Sequence, residues 1–369
     1  MGAVEISLRQ ANRYLLTRQN LLSPCANALQ AVRDACGLQA QIPSTPALSL
    51  RARVASFTLA DYDRMLSQER TLVRTWAMRG TVHTLPADTM ARFTYIYVDE
   101  ASPLAEPAAK ALTLLQKGPG TRNGLAQRAV AELGVPPETA REWFGPWGGV
   151  LRTLARRNLS VHMPTDSADV PVILTEQWLG RIPEIGTLDD LQAALLCDYL
   201  QGYGPATAQD FASFTGLSQA WARPAFERLR EELVEVRLEG SNLPHYMLKT
   251  DLPALSAITG EEPAPVRVLP RFDSILLAYK DRQRIIDDRF RTRVYRPAAV
   301  VEAVVLVDGR VAGTWRMKKT TRELQVVYEP FRRPRGGVAP RAVAAEFQRL
   351  ARWLGLERLN LTVATEAGM

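Results

Sequence analysis

The sequence predicts an α+β protein built from three helix-then-hairpin units and a β-rich C-terminal region, and three observations carry that expectation. Helical apolar spacing gives way to paired extended runs three times in the first 262 residues. Pro and Gly punctuate the joints between these runs. An Asp-Gly pair at Asp308-Gly309, flanked by two apolar runs, signals a further hairpin. Helices followed by a two-stranded wing describe a winged helix. The expected partition is therefore 1–100, 101–185 and 186–262 as winged helices, then 263–369 as the β-rich region.

In the first unit Ser7 caps a run in which Leu8, Ala11, Leu15 and Leu16 recur at helical spacing. Ser23-Pro24 opens a second helix through Leu29, Val32 and Ala35, expected to run into 37–41 and to stop at Pro43. Alternation over 75–85 gives a hairpin with Arg79-Gly80 at its bend. The second unit repeats the plan, with helices at 108–115, 125–133 and 147–157 and strands at 159–163 and 170–175 around a polar turn at 164–169. In the third, helical spacing at 189–200 and 207–214 leads through Gly216 to a helix capped by Ser218, and strands follow at 234–238 and 245–248. A Pro-rich joint at 261–265 precedes strands at 300–307, 311–317 and 324–328, an amphipathic helix at 341–354 and a closing strand at 358–363.

Composition is that of an ordinary folded chain, with 46% hydrophobic and 23% charged residues. No stretch reaches the ~18–20 apolar residues of a membrane span and the N-terminus is no signal peptide, so a cytoplasmic, nucleoid-associated protein is expected. Cys25, Cys36 and Cys197 are odd in number and scattered, which argues against a disulfide framework. His83, His162 and His245 lie too far apart for a helical metal site, so neither a metal nor another cofactor is expected.

Net charge is +7, unevenly spread: residues 265–369 hold 21 Lys/Arg against 11 Asp/Glu, whereas residues 1–264 hold 25 against 28. Basic ends and an acidic middle suit a chain whose termini meet a polyanion, and solvated surface charge is the plainer alternative. Arginine dominates, with no lysine before Lys110, which fits forked phosphate contacts but also follows from a GC-rich genome.

Four short motifs in order then become specific: Gln39-Ala40-Gln41, Arg79-Gly-Thr-Val-His83, Leu269-Pro-Arg-Phe-Asp273 and Tyr279-Lys-Asp-Arg282. Together, across essentially the whole chain, they resemble the AlkZ family of bacterial DNA glycosylases. The resemblance implies winged helices in a C-shape around a basic channel, duplex DNA as partner, a monomer, and cleavage of N7-alkylated purines, including bulky adducts and interstrand crosslinks. It also implies DNA repair and self-resistance to a DNA-alkylating antibiotic. The family's Gln-hydrophobic-Gln signature maps onto Gln39, Ala40 and Gln41; a cousin branch has Asp at the second position, where this chain keeps Gln41.

An amide does not titrate near neutrality, so Gln39 and Gln41 act by orienting a water and hydrogen-bonding developing charge. That suffices for an N7-alkylpurine, which is already cationic and leaves as a neutral base. Without the resemblance, two glutamines satisfying backbone groups at a helix end is the stronger reading. Lys280, Lys318 and Lys319 are the lysines left open for Schiff-base chemistry, and a monofunctional glycosylase leaving an abasic site is expected.

Arg79 is expected to grip the DNA backbone, and His83 to contact phosphate or hold the water, with an ordinary hydrogen-bonded histidine as its competitor. Arg51 and Arg53 follow the motif closely enough to bind flanking phosphates, or simply to be solvated. Arg310, with Arg316, Lys318 and Lys319 on the outgoing strand, makes the 308–310 hairpin a candidate minor-groove probe, or a charge-protected edge. Phe272, Asp273 and 279–282 read as packing. The rival functions are a winged-helix transcriptional regulator, which would bind DNA without releasing a base, and a metal-dependent nuclease, for which no carboxylate cluster is found.

Overall fold

Helices form where apolar spacing places them, while the strands choose partners that local patterning does not reveal. The computed structural model describes residues 4–101, 103–165, 167–259, 265–331 and 338–364. Mixed helix and sheet confirms the α+β class. Packing divides the chain into two units, Met1–Cys36 with Ser44–Thr58 and Cys197–Met369, and Gly37–Pro43 with Leu59–Leu196.

The second of these units is built on a five-stranded antiparallel sheet in the spatial order Leu38–Gln39, Val82–Pro86, Leu72–Trp76, Ser160–His162, Val172–Leu174. The two wings expected in 1–185 are thus halves of one sheet, joined where Arg74 lies opposite His162. All five residues of Leu72–Trp76 are buried, as a strand with neighbours on both sides requires. Helices Glu106–Gln116, Arg122–Leu133 and Gly149–Arg156 pack Leu114, Leu125, Leu151 and Leu154 against Trp76 and Val172. The helix Pro137–Trp143 was not expected; Pro at its first turn pre-sets the backbone.

The helix opened by Ser23-Pro24 is corrected at both ends. It runs Ala28–Asp34, capped by the Asn27 side chain, which accepts from the Gln30 N–H. It cannot continue into 37–41 because Cys36 and Gly37 turn to φ 49° and 83°. The backbone of Leu38–Gln39 then finds its partners on Val82–Pro86 and forms an edge strand.

In the first unit Ser7 caps Leu8–Arg18 as expected. Ala208–Thr215 and Gln219–Arg228 flank the Gly216 turn, with Ser218 as cap. Their hairpin, Leu233–Leu238 with His245–Leu248, gains an unforeseen third strand, Val4–Ile6, which runs parallel to it. A five-stranded sheet in the order Arg358–Val363, Glu323–Pro330, Arg310–Lys319, Val304–Val307, Arg267–Leu269 carries the helix Val338–Trp353 on one face. There Phe347 and Leu350 meet Trp315, Val326 and Tyr328. The single strand expected at 300–307 is two, Val300–Val301 and Val304–Val307. The joint at 261–265 lies, but for Pro265, outside the described residues, as does residue 166 of the 164–169 turn. Among the described residues no helix is long and apolar enough to cross a membrane.

Candidate active site

The edge strand brings the first glutamine to the hairpin. Gln39 lies opposite His83, and the Ala40 N–H donates to the Val82 carbonyl at 2.7 Å. Two residues on, Gln41 is exposed, and its Oε1 accepts from the Val82 N–H at 3.4 Å. Gln39 is 6% exposed. One amide is therefore nearly enclosed and the other open at the rim.

The hairpin bend is a single turn, Met78–Gly80, in which Arg79 adopts φ 56°, a left-handed conformation unusual for a side chain of this size. From that turn its guanidinium Nη2 stands 3.3 Å from Gln39 Oε1 and 3.3 Å from His83 Nε2. His83 Nδ1 lies 3.0 Å from the Thr81 carbonyl. A carbonyl can only accept, so Nδ1 carries the proton and donates, leaving the Nε2 lone pair to accept from Arg79. Burial first, and the Arg79 charge second, lower the His83 pKa to about 3 against the support of the Thr81 hydrogen bond. His83 is thus a neutral acceptor that holds Arg79 in place.

Two residues outside the motifs complete the surroundings. The Tyr97 hydroxyl is raised by burial, opposed by the Arg79 charge and a hydrogen bond from the Arg79 backbone. The Arg156 guanidinium sits 5.2 Å above the Tyr97 ring, and burial and then the Arg152 charge lower its pKa. Nothing in the sequence ties Tyr97 or Arg156 to Arg79. Their one signal is that the helix Gly149–Arg156 presents Arg152 and Arg156 one turn apart, on one face.

Gln39, Gln41, Arg79 and His83 are thus brought together. The other expected DNA contacts are not part of this cluster. Arg53 is 0% exposed and grips Asp273 with two hydrogen bonds of 2.7 and 2.8 Å, while the Ser49 hydroxyl donates to the same carboxylate. Burial works against the charge on Arg53, but Asp273 overrides it and the pKa rises. Arg51 is likewise enclosed, 3.1 Å from the Glu346 carboxylate, which also binds Arg349. Burial lowers the Arg51 pKa against the support of Glu346. Neither arginine presents its guanidinium to a phosphate; both are corrected to fold-holding ion pairs.

The 308–310 hairpin is corrected too. A Cβ at Gly309 would stand 3.3 Å from Asn12 and 3.4 Å from Leu16, so the turn rests on the Leu8–Arg18 helix. Asp308 faces Arg9 and Arg13, and Arg310 donates to the carbonyls of Gln283 and Arg284 at 3.1 Å each. This end of the strand is packed, not projecting. Its far end is open: Arg316 has a side chain 72% exposed and paired with Glu329 at 2.7 Å, Lys318 is exposed, and Lys319 donates to the Leu354 carbonyl. Of the remaining motif residues, Asp273 and Tyr279 are buried and Phe272 and Arg282 half-buried, as packing requires, whereas Lys280 and Asp281 are corrected to exposed positions. Tyr279 donates to the Tyr203 carbonyl at 2.7 Å, and the Arg282 guanidinium covers the Tyr295 ring at 3.7 Å. Among the described residues no group of three or more His, Cys, Asp or Glu side chains is placed to hold a metal.

Comparison with known proteins gives three findings. The family described as DNA glycosylase AlkZ-like matches residues 32–353. An interstrand DNA cross-link repair glycosylase of Streptomyces sahachiroi is 28% identical over 389 aligned positions covering 98% of this chain and 100% of the relative. The solved structure of the Streptomyces sahachiroi DNA glycosylase AlkZ superposes with a TM-score of 0.85 at 27% identity, over 98% of this chain and 100% of the other.

Proposed function

The chain belongs to the AlkZ-like family of DNA glycosylases, and we propose that it hydrolyses the N-glycosidic bond of N7-alkylated purines in duplex DNA, bulky adducts and interstrand crosslinks included. The observation that carries this reading is the Gln39–Arg79–His83 chain of hydrogen bonds, with Gln41 beside it at the rim. Each glutamine carbonyl oxygen has two lone pairs, and each uses one on the hairpin. The other is available to accept a proton from a water. A water held by both oxygens keeps its own lone pair for the anomeric carbon, and the proton it sheds once the C–O bond has formed passes to bulk water at the open Gln41 rim.

No strong base is needed. Alkylation at N7 places a positive charge on the purine, the base departs neutral, and positive charge develops on the sugar. Carbonyl dipoles aimed at that sugar stabilise it, and Arg79 fixes the Gln39 dipole before the reaction begins. The neutrality of His83 matters here, since a second cation would repel both Arg79 and the developing oxocarbenium.

The unit that holds the glutamines contains two lysines, Lys110 and Lys117, paired at 2.7 Å with Glu106 and Glu132. This favours water over an amine as nucleophile, and an abasic site as product. We read the helix-then-hairpin segments as winged helices that face the duplex, and Arg316, Lys318 and Lys319 as contributors to its phosphate contacts. We extend this reading to a role in self-resistance to a DNA-alkylating antibiotic, whose adducts would be such substrates.

Single-turnover base release from a duplex bearing N7-methylguanine, and from an N7-linked crosslink, tests the proposal. Gln39→Ala and Gln41→Ala are each expected to lose about 10²- to 10³-fold, the usual effect of removing one preorganised group. Wild-type activity in both variants would remove the site. DNA binding by the wild type without base release would instead favour a transcriptional regulator.

A further inference from the structure

Trp147 is the most exposed large apolar side chain among the described residues, at 79%. The sequence places it at the start of a helix, but the helix begins at Gly149 and Trp147 stands in the turn before it. That turn demands glycine twice. Gly148 and Gly149 have φ of 94° and 43°, and a Cβ on Gly149 would lie 1.9 Å from the Trp143 carbonyl oxygen. A Cβ on Gly148 would lie 2.9 Å from the Trp76 ring. Trp76 pairs in register with Val82, whose N–H is the group bound by Gln41. Trp147 is thus one residue from backbone that rests on the active-site hairpin. Arg152 ties the turn to the bend itself: its Cβ lies 3.0 Å from a Cβ built on Gly148, and its Nη1 3.4 Å from one built on Gly80.

An indole presented to solvent one residue from backbone that packs on Trp76, with Arg152 spanning from that turn to the Arg79 bend, has the composition of a surface that stacks nucleobases beside a phosphate backbone. A stable protein-binding face buries about 800 Å² of surface per partner around an apolar centre of several residues. Among the described residues of this unit the other exposed large apolar side chains are Leu59 and Ile182, far from Trp147 in sequence and only 41% and 40% exposed.

We propose that Trp147 is a positioning residue that stacks on a nucleobase next to the damaged nucleotide and holds the duplex open while the glutamines face the anomeric carbon. This rests on the glycosylase reading above. Aromatic wedges at unstacked steps recur in proteins that distort DNA, and an indole fills such a gap without reading sequence.

The test places 2-aminopurine beside a tetrahydrofuran abasic analogue in a duplex, so that stacking is read without base release. Wild type is expected to shift the 2-aminopurine fluorescence, Trp147→Phe to retain most of the shift and Trp147→Ala to lose it. In single-turnover excision of N7-methylguanine, Trp147→Ala should be about tenfold to a hundredfold slower and Trp147→Phe close to wild type. The melting temperature of both should be unchanged, since the side chain is exposed. A wild-type fluorescence shift and wild-type rate in Trp147→Ala would overturn the proposal. A shift that depends on Trp147 in a protein that releases no base would support the stacking and sink the glycosylase substrate instead.

Discussion

Two hairpin bends in this chain carry an arginine and a left-handed backbone, and only one of them bears a candidate site. At 78–80, Arg79 reaches across to two side chains, Gln39 and His83, both neutral acceptors that can trade partners with a water or a substrate. At 308–310, Arg310 reaches two backbone carbonyls, and the turn lies on a helix. Backbone carbonyls held by the chain on either side of them cannot swing toward a substrate as a side chain can, so Arg310 serves the fold. An arginine on a turn is therefore not a phosphate grip by composition; what decides its role is whether the protein has already satisfied it from within.

The Arg53–Asp273 pair is the limiting case of internal satisfaction, and the largest effect is expected there. Arg53→Met leaves a carboxylate at 0% side-chain exposure with, among the described residues, the Ser49 hydroxyl and the Ile275 N–H as its remaining donors. The loss should be about 3–5 kcal/mol, read by urea denaturation, and Arg53→Met with Asp273→Leu should recover much of it. Excision per folded molecule should stay at the wild-type level. A change in the salt dependence of DNA binding instead would return Arg53 to the DNA surface.

The two bends themselves give opposite expectations. Arg79→Ala removes the group that fixes the Gln39 carbonyl, and base excision should fall about a hundredfold with little change in melting temperature. Arg310→Ala should cost about 1–2 kcal/mol of stability and leave the rate of folded enzyme unchanged. Equal rate losses in both variants would show that the distinction between the bends is false.

Much of this was legible in the sequence, for identifiable reasons. Helix caps at Ser7 and Ser218 and the bend at Arg79-Gly80 are local chemistry, and local chemistry is written locally. The Gln-Ala-Gln motif was found, but its setting was mistaken for a helix end, because a two-residue edge strand has too little pattern to be seen and owes its existence to Val82–Pro86. Arg53 looked like a DNA contact because sequence proximity to the motif is visible, whereas Asp273, 220 residues away, is not. The fusion of two hairpins into one sheet, the parallel pairing of Val4–Ile6 and the place of Tyr97 beneath Arg156 share that origin: each is a partnership between distant segments. Trp147 was hidden differently, since its Gly-Gly sequel reads as a weak helix start until the two positive φ values are known.

The smallest expected effect concerns acid. His83 and His162 both have pKa values lowered to about 3 by burial first, from an ordinary 6.5, with Arg79 and Arg74 as the respective second cause. Below pH 6.5 the unfolded chain binds protons that the folded one refuses. The stability these neutral rings contribute is complete above that pH and is lost as pH falls toward 3. Between pH 7 and 6 each imidazole should account for less than about 1 kcal/mol, and His83→Gln should flatten the slope by one ring's share. Carboxylates titrate lower, so denaturation at pH 7, 6.5, 6 and 5.5 isolates the imidazoles. The Arg310 bend has no titrating acceptor, and Arg310→Ala should leave this slope as it is. If His83→Gln and wild type lose stability in parallel over that range, His83 takes up protons in the folded enzyme as readily as in the unfolded chain, and the neutral acceptor that distinguishes the Arg79 bend is gone.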